Sequence, residues 1–480
     1  MSGHDEDLPG VDGLDEEVDA VVVGGGMAGL VAAHRLTRAG LRPVLVEARG
    51  YTGGLVAASR LAGVDYDIGA EGWAVRRPEV ADLARSLGLD VEQPAARPSW
   101  IYHDDACFPI PAESLLGIPA DLTAPDLVAA LGAEGARAAA DLDRAPLGGA
   151  LPESLGALVE TRMGRVVLDR LVTPVAGGIH AADPHLLSAE VVSPGLLAQV
   201  RRCGSLAAAV AQVRRGLPDA PPVASVVGGM AVMPATLAAR LEEAGGRVLT
   251  RTGVRHLVRA QGQWQVEVAR THRNPDPSQP PVADGSAATL LTPRVVVACS
   301  AGPARALLSP TIDTTGPDLV PGAPIAHVNL AVRDPRLGSA PRGNGMLVAP
   351  GTRSVQAKAL THLSAKWPSL GAACPPDLHL LRVSYGRSGE REVDLGAELA
   401  LADASHLLGM ELDPQDVVDS QVIHWNGSLA PTTPATRAWV EGLHRQVAEL
   451  PGLALTGAWT SGSGIAALVP HAVAAAESLV

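Results

Sequence analysis

The segment VVVGGGMAGLVAA, residues 21–33, constrains the fold of this chain more than any other stretch. Residues 18–23 are apolar and β-branched, which predicts a strand, and residues 28–39 predict a helix that ends at Gly40. A second apolar run at residues 41–47 predicts the next strand. These three elements form a βαβ unit, so the sequence predicts an α/β fold with a parallel sheet.

The turn inside this unit carries the spacing Gly24-x-Gly26-x-x-Gly29. The first glycine permits a tight turn, the second lets backbone approach a pyrophosphate, and the third lets helix and strand pack closely. The helix N-terminus adds N–H donors and partial positive charge for the phosphates. Glu47 ends the second strand, where a carboxylate can accept hydrogen bonds from ribose hydroxyls. The alternative is a βαβ unit that binds no nucleotide, but the complete context favours a dinucleotide site.

Charge and cysteine usage narrow the class of protein. The chain has 480 residues, enough for two or three domains, and its formal charge of −13 argues against a nucleic-acid partner. The four cysteines lie far apart in sequence without metal-ligand or redox spacing, which favours a reduced, cytoplasmic setting. The histidines also lack metal spacing, so no metal site is predicted.

The N-terminus is acidic and lacks the features of a signal peptide. We expect residues 1–17 to form a disordered, solvating tail. The chain has no run of 18 apolar residues, so no transmembrane segment is expected, while peripheral contact with a membrane stays open.

The rest of the chain alternates between helical and strand-like patterns. Residues 81–213 have helical spacing, and residues 233–243 predict a helix that leads into strands at 247–250 and 263–269. Residues 272–288 are rich in Pro, Asp and Ser and predict an exposed loop at a hairpin tip, before a strand at 294–299. Strand-like runs at 326–385 suggest a mixed sheet, and residues 453–480 repeat the order of strand, glycine turn and helix.

Further motifs point to a flavin rather than a nicotinamide. Glu47 is followed by ARGYTGGL and then by VDYDIGAEGW at residues 64–73, an arrangement that resembles the FAD-containing amine oxidase and desaturase superfamily. ESLLGIP, PVAGGIHAADPHLLSAEVVSPGL, GSLAAAV, GGMAVMPATLAARL, KALTHLSAKWPSL, LLRVSYGRSGE and GAWTSGSGI then follow in order. From residue 18 onward the chain resembles the protoporphyrinogen/coproporphyrinogen oxidase family, and within it the Gram-positive coproporphyrinogen III oxidases.

The resemblance implies a mixed α/β fold with a discontinuous, Rossmann-like FAD-binding domain, a helical insertion and a mixed-sheet substrate domain. The FAD domain would comprise residues 18–80, 222–300 and 425–480. Residues 81–221 would form a mainly helical substrate-side domain, and residues 301–424 the substrate-binding domain. The two glycine turns would be two parts of one cofactor site, the first for the pyrophosphate and the second, 457–465, for the isoalloxazine.

The resemblance also implies which residues hold FAD. The expected contacts are Gly24, Gly25, Gly26, Met27, Ala28, Gly29, Glu47, Ala48, Gly53, Gly54, Leu55, Gly69, Ala70, Glu71, Gly72, Val254, Gly457, Trp459, Ser463, Gly464 and Ile465. Val254 would use its backbone at the adenine side. Glu71 would offer its backbone to the flavin and its side chain to a structural hydrogen bond; the alternative, by its position alone, is a proton acceptor. No residue is assigned as the catalytic acid or base.

The implied reaction is the oxidation of a porphyrinogen, whose rim carries carboxylates, with O₂ as electron acceptor. FAD would take hydride from a bridging carbon, the ring N–H groups would lose protons, and three rounds would give the porphyrin with H₂O₂ release. The only two lysines, Lys358 and Lys366, together with Arg76, are candidates to bind the carboxylates. The alternative is that these are surface charges. On functional grounds the iron-inserting enzyme would be a natural recipient of the product.

The chain departs from the family pattern at several positions. Leu55 replaces a basic residue, and Thr432 and Thr436 stand where the family has Tyr and His. The family places proline after the isoleucine of the C-terminal motif, whereas this chain has Ala466 there and proline at Pro470. Because proline disrupts a helix interior, we expect either a late helix start near Pro470 or a kink there.

Four other functions stay open at the level of sequence. They are protoporphyrinogen oxidation, amine oxidation, carotenoid desaturation, and a catalytically silent flavoprotein that binds porphyrin or a partner protein. The strand predicted around residues 325–332 lacks the lysine that amine oxidases place near the flavin.

Overall fold

The computed structural model describes residues 16–75, 77–103, 106–180, 182–216, 221–274, 280–319, 322, 324–387, 394–425, 433–462 and 464–480. Nearly all of the predicted acidic tail, residues 1–15, lies outside this set.

The strands are β1 (Glu16–Glu17), β2 (Ala20–Val23), β3 (Pro43–Val46), β4 (Ala58–Leu61), β5 (Val64–Asp67), β6 (Trp73–Ala74), β7 (Val91–Glu92), β8 (Ser99–His103), β9 (Ala106–Pro109), β10 (Ser114–Leu115), β11 (Ile118–Pro119), β12 (Val223–Val226), β13 (Arg247–Leu249), β14 (Thr252–Ala260), β15 (Gln263–His272), β16 (Val282–Thr292), β17 (Val295–Val297), β18 (Ile325–Arg333), β19 (Gly345–Val348), β20 (Ala359–His362), β21 (Leu378–Tyr385), β22 (Val417–Trp425) and β23 (Leu453–Leu455).

The α-helices are α1 (Met27–Arg38), α2 (Glu79–Ser86), α3 (Pro125–Arg144), α4 (Leu155–Met163), α5 (Arg165–Val167), α6 (Gly178–His180), α7 (Ala189–Val192), α8 (Leu196–Cys203), α9 (Leu206–Arg215), α10 (Val232–Glu243), α11 (Ala301–Leu308), α12 (Leu363–Lys366), α13 (Pro368–Ala373), α14 (Ala397–Leu408), α15 (Pro434–Ala448), α16 (Ala458–Ser461) and α17 (Ile465–Glu477). A π-helical segment spans Leu168–Gly177, and 3₁₀ turns span Pro184–Leu186, Pro335–Ser339 and Pro414–Asp416.

A five-stranded parallel sheet in the order β13-β3-β2-β17-β23 unites distant parts of the chain. The strands β2, β3, β17 and β23 are short and fully buried, as expected for a parallel sheet covered on both faces. One face packs against α1, α10 and α17 through small apolar residues such as Ala28, Ala32 and Ala472. The boundaries of the domains remain a prediction, but this sheet joins the N-terminal and C-terminal segments in one layer.

A seven-stranded mixed sheet in the order β22-β18-β21-β20-β19-β8-β9 forms the second large layer. Its apolar face, which includes Val328, Leu330, Leu381 and Val383, packs against α14. Because side chains alternate along a strand, the residues between these positions lie on the opposite face. Part of that opposite face is polar, at His327, Asn329, Arg382 and Ser384, and this part is described with the site below.

The helices of residues 125–215 form a third layer with its own core, in which α3, α4, α8, α9 and the π-helical segment pack together. The segment from residue 81 onward also contains β8 and β9, which join the mixed sheet, so the predicted helical pattern of residues 81–213 is wrong there. The local sequence SWIYH explains the difference, because aromatic and β-branched residues fit a pleated sheet.

Two further predictions need correction. The hairpin tip predicted at 272–288 is shorter, because β15 runs to His272 and β16 begins at Val282. Of the two alternatives predicted at Pro470, the late helix start is wrong, since α17 begins at Ile465 and contains Pro470 in its interior. A kink at Pro470 stays a prediction. Packing of Ile465, Leu468, Val469 and Ala472 into the core stabilises the first turns despite the proline.

Within the described part of the chain, each helix is too short or too polar to cross a membrane.

Candidate active site

The two glycine turns follow two strands of the same parallel sheet. Gly24 follows β2 and Gly457 follows β23, and β17 lies between these strands. The indole N–H of Trp459 donates to the carbonyl of Cys299, just beyond β17, at 2.9 Å. Ligands of open parallel sheets bind at the carboxyl ends of the strands, so both turns lie at the edge where a cofactor is expected.

Both turns lead into helices whose N-termini no side chain caps. Gly26 and Gly464 are the N-cap residues of α1 and α17, and neither helix has an acidic residue in its first turn. The N-cap side chains therefore take up none of the first-turn N–H groups of these two helices. A helix N-terminus with free N–H groups attracts anions.

Space beside the glycines distinguishes structural from binding roles. A β-carbon at Gly29 would lie 1.9 Å from the carbonyl oxygen of Gly24, so this position requires glycine for packing. A β-carbon at Gly26 or Gly464 would meet no atom of the protein within 4 Å. Glycine at those two positions therefore leaves room that the protein itself does not fill.

The Glu47 carboxylate holds the first turn together. It accepts hydrogen bonds from the N–H of Gly25 at 2.6 Å and from the N–H of Arg49 at 2.7 Å. The backbone N–H of Thr252, at the start of β14, donates to the Glu47 carbonyl at 2.9 Å, which brings β14 beside Glu47 and Ala48. Val254 follows in β14 at a bulge between Val254 and His256, where the ladder to β15 is interrupted.

The second glycine pair packs directly on the first turn. Gly53 donates its N–H to the carbonyl of Gly25 at 2.8 Å, and a β-carbon at Gly54 would lie 3.3 Å from Gly26. Leu55 follows and packs in a small apolar cluster with Trp425. Its carbonyl accepts from the N–H of Ala70 at 3.0 Å, which connects the first turn to the DIGAEG segment.

The segment Gly69–Gly72 lies between the two turns. Leu55 connects it to the first turn, and Trp73, just after Gly72, packs in the same core as Ile465 and Leu468 of α17. The Glu71 side chain accepts from Lys366 Nζ at 2.6 Å and from Trp367 Nε1 at 3.3 Å. Burial alone would raise the pKa of Glu71, but Lys366 and Arg382 outweigh it and lower that pKa to about 2.

Comparison with known proteins agrees with this geometry. The sequence profile described as flavin containing amine oxidoreductase matches residues 27–478. A coproporphyrinogen III oxidase of Mycobacterium leprae is 30% identical, with 95% of this chain and 97% of that protein covered. A coproporphyrinogen III oxidase of Staphylococcus aureus is 26% identical, with 82% and 84% covered. A crystal structure described as a putative protoporphyrinogen oxidase from Exiguobacterium has 25% identity and a TM-score of 0.78, with 96% and 98% covered.

This chain belongs to the flavin-containing amine oxidoreductase family. It is an FAD-dependent oxidoreductase with a mixed α/β fold, as the motifs predicted. The residues fit the cofactor in three respects: two helix N-termini without side-chain caps, empty space beside Gly26 and Gly464, and a close glycine-rich contact between the first turn and the Gly53-Gly54 pair. The individual contacts of the site residues with FAD remain a proposal.

The mixed sheet carries a group of polar side chains on one face that the motif analysis did not predict. His327, Asn329, Arg382 and Ser384 lie at alternate positions of β18 and β21, and pairing places His327 opposite Ser384 and Asn329 opposite Arg382. His327 Nδ1 lies 3.0 Å from the Ser384 hydroxyl. Burial and the nearby cations Arg382 and Lys358 hold the pKa of His327 well below its ordinary value, so its imidazole is neutral.

Arg382 connects this face to the cofactor segment. Its guanidinium donates to the carbonyl of Gly69 at 3.2 Å, to the carbonyl of Asp67, and to Asn329 Oδ1 at 3.2 Å. Asn329 Nδ2 is fully buried and has no hydrogen-bond partner among the described residues. An amide flip would place this donor against another donor, so a bound water or ligand acceptor is the natural partner. The signal in the sequence was the period-two polar pattern in HVN and RVS.

The predicted carboxylate-binding cations differ in their surroundings. The ammonium of Lys366 pairs with Glu71, so the carboxylate that it binds here belongs to the protein. Lys358 precedes β20 and donates from Nζ to the carbonyl of Gly386 at 3.0 Å. Arg76, Ser463 and Thr432 lie outside the described residues. Thr436 bonds to Thr433 at the start of α15, where it completes a helix cap.

Proposed function

We propose that this protein is an oxygen-dependent FAD oxidase that converts coproporphyrinogen III to coproporphyrin III with release of H₂O₂. The observation that carries the proposal is similarity over 95% of the chain to a protein named coproporphyrinogen III oxidase. The cofactor cradle described above and the polar sheet face beside it support the same reaction class. Cytoplasmic location and transfer of the product to the iron-inserting enzyme are further parts of this proposal.

Bound FAD would accept hydride from the substrate and pass the electrons to O₂. The protein supplies binding and orientation. The mixed sheet provides a face with Asn329 Nδ2 unsatisfied and His327 neutral, so that it can accept protons and hydrogen bonds in addition to donating them. Lys358, whose charge acts on His327, is the candidate that we retain from the described residues for a propionate of the substrate.

Comparison of two porphyrinogens tests the function and the role of Lys358 together. Purified protein should oxidise coproporphyrinogen III aerobically, with porphyrin fluorescence and H₂O₂ rising in parallel. Protoporphyrinogen IX, which lacks two of the four propionates, should have a higher KM. In Lys358→Ala the KM for coproporphyrinogen should rise about tenfold, the effect of one lost charge-assisted contact of about 1.4 kcal/mol.

The matched control is Arg85→Ala, which removes an exposed cation of α2. It should leave both KM values unchanged. An unchanged KM in Lys358→Ala would reject the lysine as a propionate contact, and absence of turnover with both substrates would reject the proposed function.

Protoporphyrinogen oxidation is the second candidate, because the Exiguobacterium structure is described by that activity. The same assay separates the two, since that reading predicts the lower KM for protoporphyrinogen IX. Amine oxidation is disfavoured because β18, Ile325–Arg333, contains no lysine.

A further inference from the structure

The Glu71 side chain is contacted by Lys366, Trp367 and Arg382. These residues lie in or next to strands of the mixed sheet, not in the Gly69–Gly72 segment that contains Glu71. Lys366 Nζ lies 2.6 Å from Glu71 Oε1, and Trp367 Nε1 lies 3.3 Å from Oε2. Arg382 Nη1 lies 3.9 Å from Oε2. The side chains of Lys366 and Glu71 are only 19% and 20% exposed, and that of Arg382 only 5%. This set, Glu71 with Lys366 and Arg382, is called the Glu71 triad below.

The Glu71 triad fixes both the backbone and the side chain of the segment between the two glycine turns. Arg382 binds the carbonyls of Asp67 and Gly69, while Lys366 binds the Glu71 carboxylate. Ala70 is bonded to Leu55 on the side of the first turn, and Trp73 packs with α17 on the side of the second. Loss of either cation should therefore loosen the segment on the side that faces away from the turns.

The Glu71 triad also carries a net charge. The triad itself has one carboxylate and two cations where water is largely excluded. The Asp67 carboxylate, whose pKa burial raises to about 6, interacts with Arg382 and Glu71 and belongs to the same charge balance. Charges act over longer distances and with more energy in such surroundings than in water. The charge of a flavin becomes more negative on reduction, so a nearby positive charge favours the reduced form.

We propose that Lys366 and Arg382 are positioning residues that hold the DIGAEG segment against the flavin through their shared contact with Glu71. Together with Glu71 they also determine the local charge and, through it, the reduction potential of the flavin. Lys366 then acts through Glu71 and not by binding substrate carboxylates. The inference requires bound FAD but is independent of the porphyrinogen, so its failure and that of the proposed function can be distinguished.

The test is the reduction potential of the bound flavin, measured against a reference dye without substrate. Glu71→Gln removes a negative charge and should shift the equilibrium about tenfold toward reduced flavin, which is about 30 mV for a two-electron couple. Lys366→Gln should shift it by a similar factor in the opposite direction, because the Glu71 charge is then less compensated. The double variant should return toward the wild-type potential.

Controls separate this account from a merely structural one. Lys366→Arg keeps the charge and should keep both the potential and the FAD affinity, measured by titration of apoprotein. Arg85→Gln changes the net charge at an exposed site and should leave the potential unchanged. Loss of FAD from Lys366→Gln but not from Lys366→Arg would support the positioning role. Shifts of the same sign in both single variants, equal potentials in all variants, or loss of FAD from Lys366→Arg as well would overturn the proposal.

Discussion

Gly26 combines an ordinary backbone conformation with empty space beside its α-carbon. Its φ of −69° suits any residue, and an added β-carbon would touch nothing in the protein. Gly26→Ala should therefore fold normally, yet the methyl group would occupy the space where a pyrophosphate approaches the turn. We expect the affinity for FAD to fall at least about tenfold, or about 1.4 kcal/mol, in a titration of apoprotein.

Gly302→Ala is the matched control, because Gly302 lies near the start of α11 and also has open space around it. It should retain wild-type affinity. A Gly26→Ala protein that binds FAD as tightly as the wild type would show that the cofactor does not approach this turn.

His362 should make the protein sensitive to acid. It is buried, and its Nε2 lies 3.1 Å from Nδ1 of His379. Burial, His379 and Arg97 together lower the pKa of His362 to about 3. An unfolded chain binds this proton near pH 6.5, so between pH 6.5 and 3 the unfolded state holds a proton that the folded state lacks. The free energy of unfolding is therefore unaffected by this group above pH 6.5 and falls as the pH decreases below it, by at most about 1.4 kcal/mol per pH unit.

Urea unfolding at several values between pH 7 and pH 5 checks this expectation. His362→Gln should reduce the slope of stability against pH, whereas the exposed His256→Gln should leave it as in the wild type. Equal slopes in the wild type and His362→Gln would mean that His362 does not stay neutral in the folded protein.

At the residue scale, the motifs supplied the backbone of the site but not its side-chain partners. The glycine spacing and Glu47 were predictable because each is required by a local turn. The partners of Glu71 were not, because Lys366 and Arg382 lie 295 and 311 positions further along the chain, and only the packing of the mixed sheet brings them to it. The burial of the Asn329 side-chain amide could not be predicted from the sequence for the same reason.

At the scale of elements, α17 shows tertiary packing prevailing over local propensity. Pro470 lies inside the helix, where it lacks the N–H that would bond to the carbonyl of Ala466. Pro470→Ala should therefore raise the free energy of unfolding, by up to about 3 kcal/mol, the cost of a proline in a helix interior. Thermal unfolding of the apoprotein measures the change.

The control for this helix is Pro125→Ala, since Pro125 is the first residue of α3, where a proline costs little. It should give no gain in stability. A loss of stability in Pro470→Ala would show that the ring of Pro470 contributes more through its contacts than the missing hydrogen bond costs.

The strands β8 and β9 are a second case in which tertiary contacts prevail over the local sequence pattern. Ala-rich and Leu-rich flanks made residues 81–213 look helical, yet the SWIYH segment pairs with β19, more than 240 residues further along the chain. Sequence periodicity indicates a structure that extends over a long segment. A short strand inside a mostly helical segment is harder to predict, because it forms only where the fold supplies a strand to pair with it.

At the scale of the whole molecule, the fold places β2 and β3 of the N-terminal segment and β23 of the C-terminal segment in one parallel sheet. The mixed sheet contacts the backbone of Gly69 and Ile68 through Arg382 and Trp425. The fold class and the cofactor could be predicted because both glycine turns keep their strand-turn-helix context. The substrate side could be predicted only in outline, because its residues come from the sheet face formed by alternate positions of separate strands.

The most direct test of this account is an anaerobic mixing experiment with the FAD-loaded protein. Coproporphyrinogen III should bleach the visible absorption of the flavin in a single turnover, and admission of O₂ should restore it with release of H₂O₂. A flavin that dithionite bleaches but that coproporphyrinogen III leaves fully oxidised would contradict the central claim that this cofactor site oxidises a porphyrinogen.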